Sequence, residues 1–174
     1  LVLGGRRIIK KKNEIVPRGL AQISAEERPL VVHQAGEKHL VQLRQNYEAA
    51  GVPAHCTAFI EDMAGAYEWA DLVICRAGAL TIAELAAAGV ASVLVPFPYA
   101  VDDHQSANAR YLAAGNAAVL MSEAALSVDT LAREIARLLG DAEARMTMAE
   151  SARALSRPHA TADVAAQCLE FIDA

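Results

Sequence analysis

Aromatic side chains are scarce in this 174-residue chain: Phe, Tyr and Trp together make up 5% of it. A core built with so few of them is filled by aliphatic and small residues. The apolar fraction of 54%, much of it alanine, suits helices packed closely on a sheet. Cysteine is equally sparse. Cys56, Cys75 and Cys168 stand far apart without CxxC spacing. That argues against a disulfide framework or a thiolate metal site, and for reduced thiols in a cytoplasmic protein. Positive charge is not in excess: sixteen Lys and Arg against twenty-one Asp and Glu give a net −5. No global field therefore draws in nucleic acid or an anionic membrane, although composition leaves peripheral membrane contact open. No apolar run reaches the ~18 residues that would span a bilayer, and no secretory signal pattern is present. Internal repeats and low-complexity linkers are absent too. The chain opens at Leu1 with a strand-like LVLGG and no methionine, which predicts a piece of a longer product.

What is present alternates. Short β-rich runs fall at 1–3, 30–34, 55–60, 71–76, 91–96 and 116–121. Helix-like stretches lie between them at 37–50, 64–69, 81–88 and 105–114, and three more follow near 127–139, 141–155 and 160–172. Strands alternating with helices at this spacing predict βαβ units and a parallel sheet. The runs DLVIC and SVLVP are almost wholly apolar, as in strands covered on both faces. The expected fold is α/β, a Rossmann-like doubly wound parallel sheet of about six strands in the order 3-2-1-4-5-6, with residues 1–174 forming one domain. In that order the chain reverses between the first and fourth strands. A crevice opens there at their carboxyl ends, bordered by Gly4-Gly5 and by the turn Arg76 to Thr81.

Three stretches sit on that edge. In CRAGALTIAELAAAG (75–89) a small-residue turn leads into a helix, whose N-terminal amides and dipole suit a phosphate. The competing reading makes Thr81 and Glu84 a capping box, with Gly89 as the C-terminal cap. In PFPYAVDDHQSAN (96–108), Asp, His, Gln and Asn match the hydrogen-bonding needs of sugar hydroxyls. Alternatively it is a polar loop in which Asp102 or Asp103 caps the helix that follows. In FIEDM (59–63), Ile60 and Met63 wall a flat slot for a base or staple the next helix. His33, His39, His55 and His159 read as packing or surface residues.

Taken together, CRAGALTIAELAAAG, VPFPYAVDDHQSANARYL and FIEDMAGAYEWAD resemble the carboxy-terminal half of the MurG-like glycosyltransferases, over residues from about 30 to the end. The resemblance implies one half of a GT-B fold that binds UDP-N-acetylglucosamine. An amino-terminal half, absent from this chain, would carry the lipid I site and the catalytic base. The substrate-binding set it implies is Ile60, Met63, Ala79, Leu80, Thr81, Ile82, Ala83, Glu84, His104, Gln105 and Asn108. Ile60 would meet the uracil edge through its backbone, with Met63 nearby. Ala79, Leu80 and Thr81 would lie along the diphosphate. Glu84 would accept from the ribose hydroxyls, and His104, Gln105 and Asn108 would face the sugar.

The implied reaction is inverting transfer of N-acetylglucosamine to lipid I, at the cytoplasmic face of the plasma membrane. Neither a cofactor nor a metal is expected. An anionic membrane surface is a possible partner of the full-length protein, and nucleic acid is not. Two other readings stay open: a nucleotide-sugar module inactive by itself, and a UDP-N-acetylglucosamine epimerase of the same fold. One segment departs from the family's GGSxGA-type loop. Gly4, Gly5, Asn13 and Pro17 match it, but five of the sixteen basic residues crowd into 6–12.

Overall fold

The computed structural model describes residues 10–98 and 103–172. In chain order its elements are α1 (Lys10–Ala21), β1 (Val32–Gln34), α2 (Glu37–Ala49), β2 (His55–Thr57), α3 (Met63–Trp69), β3 (Val73–Cys75), α4 (Ala79–Ala88), β4 (Ser92–Leu94), α5 (His104–Ala114), β5 (Ala118–Leu120), α6 (Val128–Gly140), α7 (Ala142–Ala154) and α8 (Ala160–Ile172). Among the described residues the strand pairings are all parallel. β1 pairs with β2 in the register Val32 opposite His55. β4 lies between β3 and β5, with Ser92 opposite both Val73 and Ala118. These are neighbours that the order 3-2-1-4-5-6 requires. The strand expected at 1–3 and the basic stretch at 6–9 lie outside the described residues.

The strands alternate between two cores. Ile74, Val93 and Val95 point into one, with Val16, Leu20, Leu43, Leu131, Ile135 and Leu138. Val73, Cys75 and Leu94 point into the other, with Tyr67, Ile82, Leu85 and Leu112. Apolar residues on both faces of β3 and β4 are the physical content of the uninterrupted runs DLVIC and SVLVP. Helices on both sides cover them.

The sequence pattern does not predict α1, which carries Pro17 in its interior. The structure shows how it is tolerated. Proline has no N–H to give to the carbonyl four residues back. That carbonyl, Asn13 O, instead accepts from Asn46 Nδ2 of α2 at 2.9 Å. Val16 and Leu20, one turn apart and at most 2% exposed, then fix the helix face against the core.

Several helix ends are closed by recognisable devices. Asp62 Oδ1 accepts from Gly65 N at 2.9 Å at the start of α3, and Ser127 and Thr130 form a capping box on α6. Gly89 ends α4 in the left-handed region at φ 64°. Arginines reach the last carbonyls of two helices: Arg145 those of Leu138 and Leu139, and Arg153 that of Ala87.

Candidate functional site

The start of α4 decides between the two readings of CRAGALTIAELAAAG. The helix begins at Ala79, two residues before the boundary read from the pattern, and its N-cap position is Gly78. Thr81 is therefore the third residue of the helix. A capping box with Glu84 is excluded, and no side chain caps this end. The first turn also holds no acidic residue. The first intrahelical bond runs from Ile82 N to Gly78 O at 2.9 Å. The amides of Ala79, Leu80 and Thr81 precede it and have no partner within the helix. The helix thus presents bare N–H groups and the positive end of its dipole at the carboxyl end of β3.

The turn before α4 is fixed from two sides. Asn108 Nδ2, on α5, donates to Ala77 O at 3.1 Å. Arg76 is buried and spans the edge: Nη1 donates to Val95 O at 2.8 Å and also to Pro96 O. Its Nη2 meets Glu123 Oε2 at 2.9 Å, and its guanidinium lies 5.3 Å from the Phe97 ring centre. Burial pulls the Arg76 pKa down, and Glu123 opposes that shift. Nε is buried without a hydrogen bond. Arg76 was visible in the sequence as a cation ending an apolar strand, but its role as a brace between two loops was not.

On α5, Gln105 Oε1 accepts from Phe97 N at 2.9 Å. Its carbonyl end thus holds the loop after β4 and its carboxamide nitrogen is the end that can address a ligand. His104 is exposed on the first turn of the same helix. Asp103 occupies the N-cap position with φ 51° but makes no capping bond. Its carboxylate lies 3.5 Å from Arg110 instead, so the expected Asp103 cap is corrected; Asp102 lies outside the described residues.

Ile60 and Met63 are both partly buried against the core shared with Tyr67 and Ile82. With Asp62 as N-cap they are not at the staple positions, which fall on Glu61 and Ala66. Ile60 N donates to Gln34 Oε1 at 3.1 Å, so its amide is engaged in this structure. Met63, Tyr67 and Glu84 line one groove between α3 and α4. Glu84 is exposed, and its Oε2 accepts from the Tyr67 hydroxyl at 2.9 Å.

Of the α4 residues, Leu80 is 80% exposed and Ala83 is exposed. Ile82 differs: its side chain is buried and its amide is bonded to Gly78 O, so it lends the helix its first bond and the crevice no donor. Among the four histidines read as structural, His33 is buried edge-on to Tyr47, with Nδ1 3.0 Å from the tyrosine hydroxyl.

A parallel α/β sheet with an uncapped helix at its carboxyl edge, flanked by a polar helix and by the groove between α3 and α4, is the doubly wound architecture in which ligands sit at the carboxyl ends of the strands. The chain matches the Glycosyltransferase family 28 C-terminal domain over residues 1–166, and it belongs to that family. It is 55% identical, over 98% of its length, to the UDP-N-acetylglucosamine--N-acetylmuramyl-(pentapeptide) pyrophosphoryl-undecaprenol N-acetylglucosamine transferase of Dechloromonas aromatica. The protein of the same name from Azoarcus sp. is 54% identical over 99% of the chain. The chain spans about half of these relatives, 48% in each case. Among solved structures, that of Acinetobacter baumannii MurG superposes with a TM-score of 0.85 at 40% identity, over 94% of this chain and 49% of that one. The glycosyltransferase VinC, at 16% identity and a TM-score of 0.66 over 98% of this chain and 41% of its own, shares the fold alone.

Proposed function

We propose that this chain is the donor-binding half of an inverting transferase that moves N-acetylglucosamine from UDP-N-acetylglucosamine to lipid I. The observation that carries the reading is the bare N-terminus of α4 at the carboxyl edge of β3, with Glu84 one turn further along. The amides of Ala79, Leu80 and Thr81 receive the diphosphate. Ile60 and Met63 face the base, Glu84 the ribose hydroxyls, and His104, Gln105 and Asn108 the sugar. Names of relatives 50% or more identical support the choice of donor and acceptor.

In inverting transfer the acceptor hydroxyl attacks the anomeric carbon in line as the bond to the diphosphate breaks. Negative charge then grows on the leaving phosphate oxygens. Preorganised N–H groups and the α4 dipole meet that charge without reorganising. The base that takes the acceptor proton belongs to the other half of the full-length protein, as do lipid I and the contact with the cytoplasmic face of the membrane. Among the described residues no helix is long and apolar enough to cross a membrane.

This reading assigns affinity to UDP and discrimination to the sugar contacts. Gln105→Ala is expected to weaken UDP-N-acetylglucosamine binding about tenfold, the size of one polar contact, and to change UDP binding by less than about twofold. Calorimetric titration of both ligands checks it. Equal losses for both would remove Gln105 from sugar recognition and leave it only its bond to Phe97.

A further inference from the structure

On the reading that Glu84 holds the ribose, we infer that Tyr67 is the positioning residue that makes it selective for ribose. Glu84 stands on the exposed face of α4. A carboxylate there samples several rotamers in water, and each must be surrendered when a ligand binds. Tyr67 removes that freedom in advance. Its ring is 7% exposed and packed in the core beneath α3 and α4, so the hydroxyl is delivered from a rigid base. The hydroxyl donates to Glu84 Oε2 at 2.9 Å. Oε2 is thereby held, and Oε1 is the oxygen presented to a vicinal diol.

The direction of this hydrogen bond does not change with pH in the working range. Burial raises the tyrosine pKa, and the hydrogen bond to Glu84 and its charge raise it further. The hydroxyl stays protonated and acts toward the carboxylate as a donor. The same contact ties two helices with different tasks. α3 begins with Met63, assigned to the base, and α4 carries Glu84, assigned to the ribose; the two residues share one groove with Tyr67. Base and ribose recognition are thus set at a fixed separation before the nucleotide arrives.

The test compares UDP with 2′,3′-dideoxy-UDP on wild type, Tyr67→Phe, Glu84→Ala and the double variant. Tyr67→Phe removes one oxygen and keeps the packed ring. It is expected to weaken UDP about three- to tenfold, to leave dideoxy-UDP unchanged, and to add nothing in the Glu84→Ala background. Unchanged UDP binding in Tyr67→Phe, with a clear loss in Glu84→Ala, would overturn the inference while leaving the ribose assignment standing. Equal losses for both nucleotides in Tyr67→Phe would show a merely structural contact and overturn it too. Unchanged UDP binding in Glu84→Ala would overturn the ribose assignment and, with it, any positioning role. If Tyr67→Phe does not fold, Glu84→Asp reads the same contact from the other side. The shorter carboxylate cannot reach both Tyr67 and ribose, and retention of full UDP affinity would overturn the inference.

Discussion

Replacing Arg76 with methionine is expected to destabilise the chain by about 3 kcal/mol, the low end of the cost of breaking a buried ion pair. For a domain of this size that lowers the melting temperature by roughly 6–12 °C. The low end applies because the Glu123 side chain is 20% exposed and can take water when its partner goes. The carbonyls of Val95 and Pro96 lose the guanidinium they accept from, in a place where Arg76 itself is only 7% exposed. Methionine fills much of the volume and none of the donor role. Glu123→Gln keeps an acceptor for Nη2 and should cost less, about 1 kcal/mol. Thermal unfolding followed by circular dichroism reads both. The donor affinity of Arg76→Met should fall as well, because the loops after β3 and β4 lose their brace. A melting temperature within 2 °C or so of wild type would mean that the brace stabilises nothing.

Glu84→Ala is expected to do the reverse: little to stability and much to binding. The substitution loses one partly exposed hydrogen bond from Tyr67, worth about 0.5–1.5 kcal/mol. The melting temperature should therefore drop by only about 1–6 °C. UDP affinity should fall about tenfold or more, since hydrogen bonds to a charged group contribute roughly 1.5–3 kcal/mol. On the proposed reading, a carboxylate one turn from a phosphate site would be repelled by its neighbour, and two ribose hydroxyls, beside the Tyr67 hydroxyl it already accepts from, would be the compensation. With Gly78 at the N-cap, no capping role remains to explain the residue. 2′,3′-Dideoxy-UDP should bind wild type and variant alike. Titration calorimetry with the two nucleotides decides the matter, and undiminished UDP binding by Glu84→Ala would refute the ribose contact.

Much of the fold was legible because it is written in local periodicity. Each described strand lies within its expected run, and α2 to α8 start within about two residues of their expected boundaries. Apolar runs bounded by Gly and polar residues leave few alternatives to βαβ units. Several of the misses depend on partners distant in sequence. Pro17 leaves Asn13 O without a helical donor, and Asn46, from another helix, supplies one. The two-residue error at α4 came from assigning Thr81 its commonest local role, whereas a glycine N-cap with no side-chain bond leaves no such mark. Ile82 belongs to the set that the resemblance implies, and its helix position sends its side chain into the core. The contacts Tyr67–Glu84, Asn108–Ala77 and Arg76–Glu123 join residues 17, 31 and 47 positions apart. No spacing rule reaches across such distances, so the braces of the site emerged only with the fold.

The α4 N-terminus is expected to receive the diphosphate of a uridine nucleotide sugar. Titration of this chain with UDP-N-acetylglucosamine, followed through its backbone amide resonances, tests that most directly. The predicted result is saturable binding in which the amides of Ala79, Leu80 and Thr81 move most, with a second group of shifts from Phe59 to Met63. Saturable binding with the largest shifts elsewhere, or no shift at millimolar donor, would contradict it.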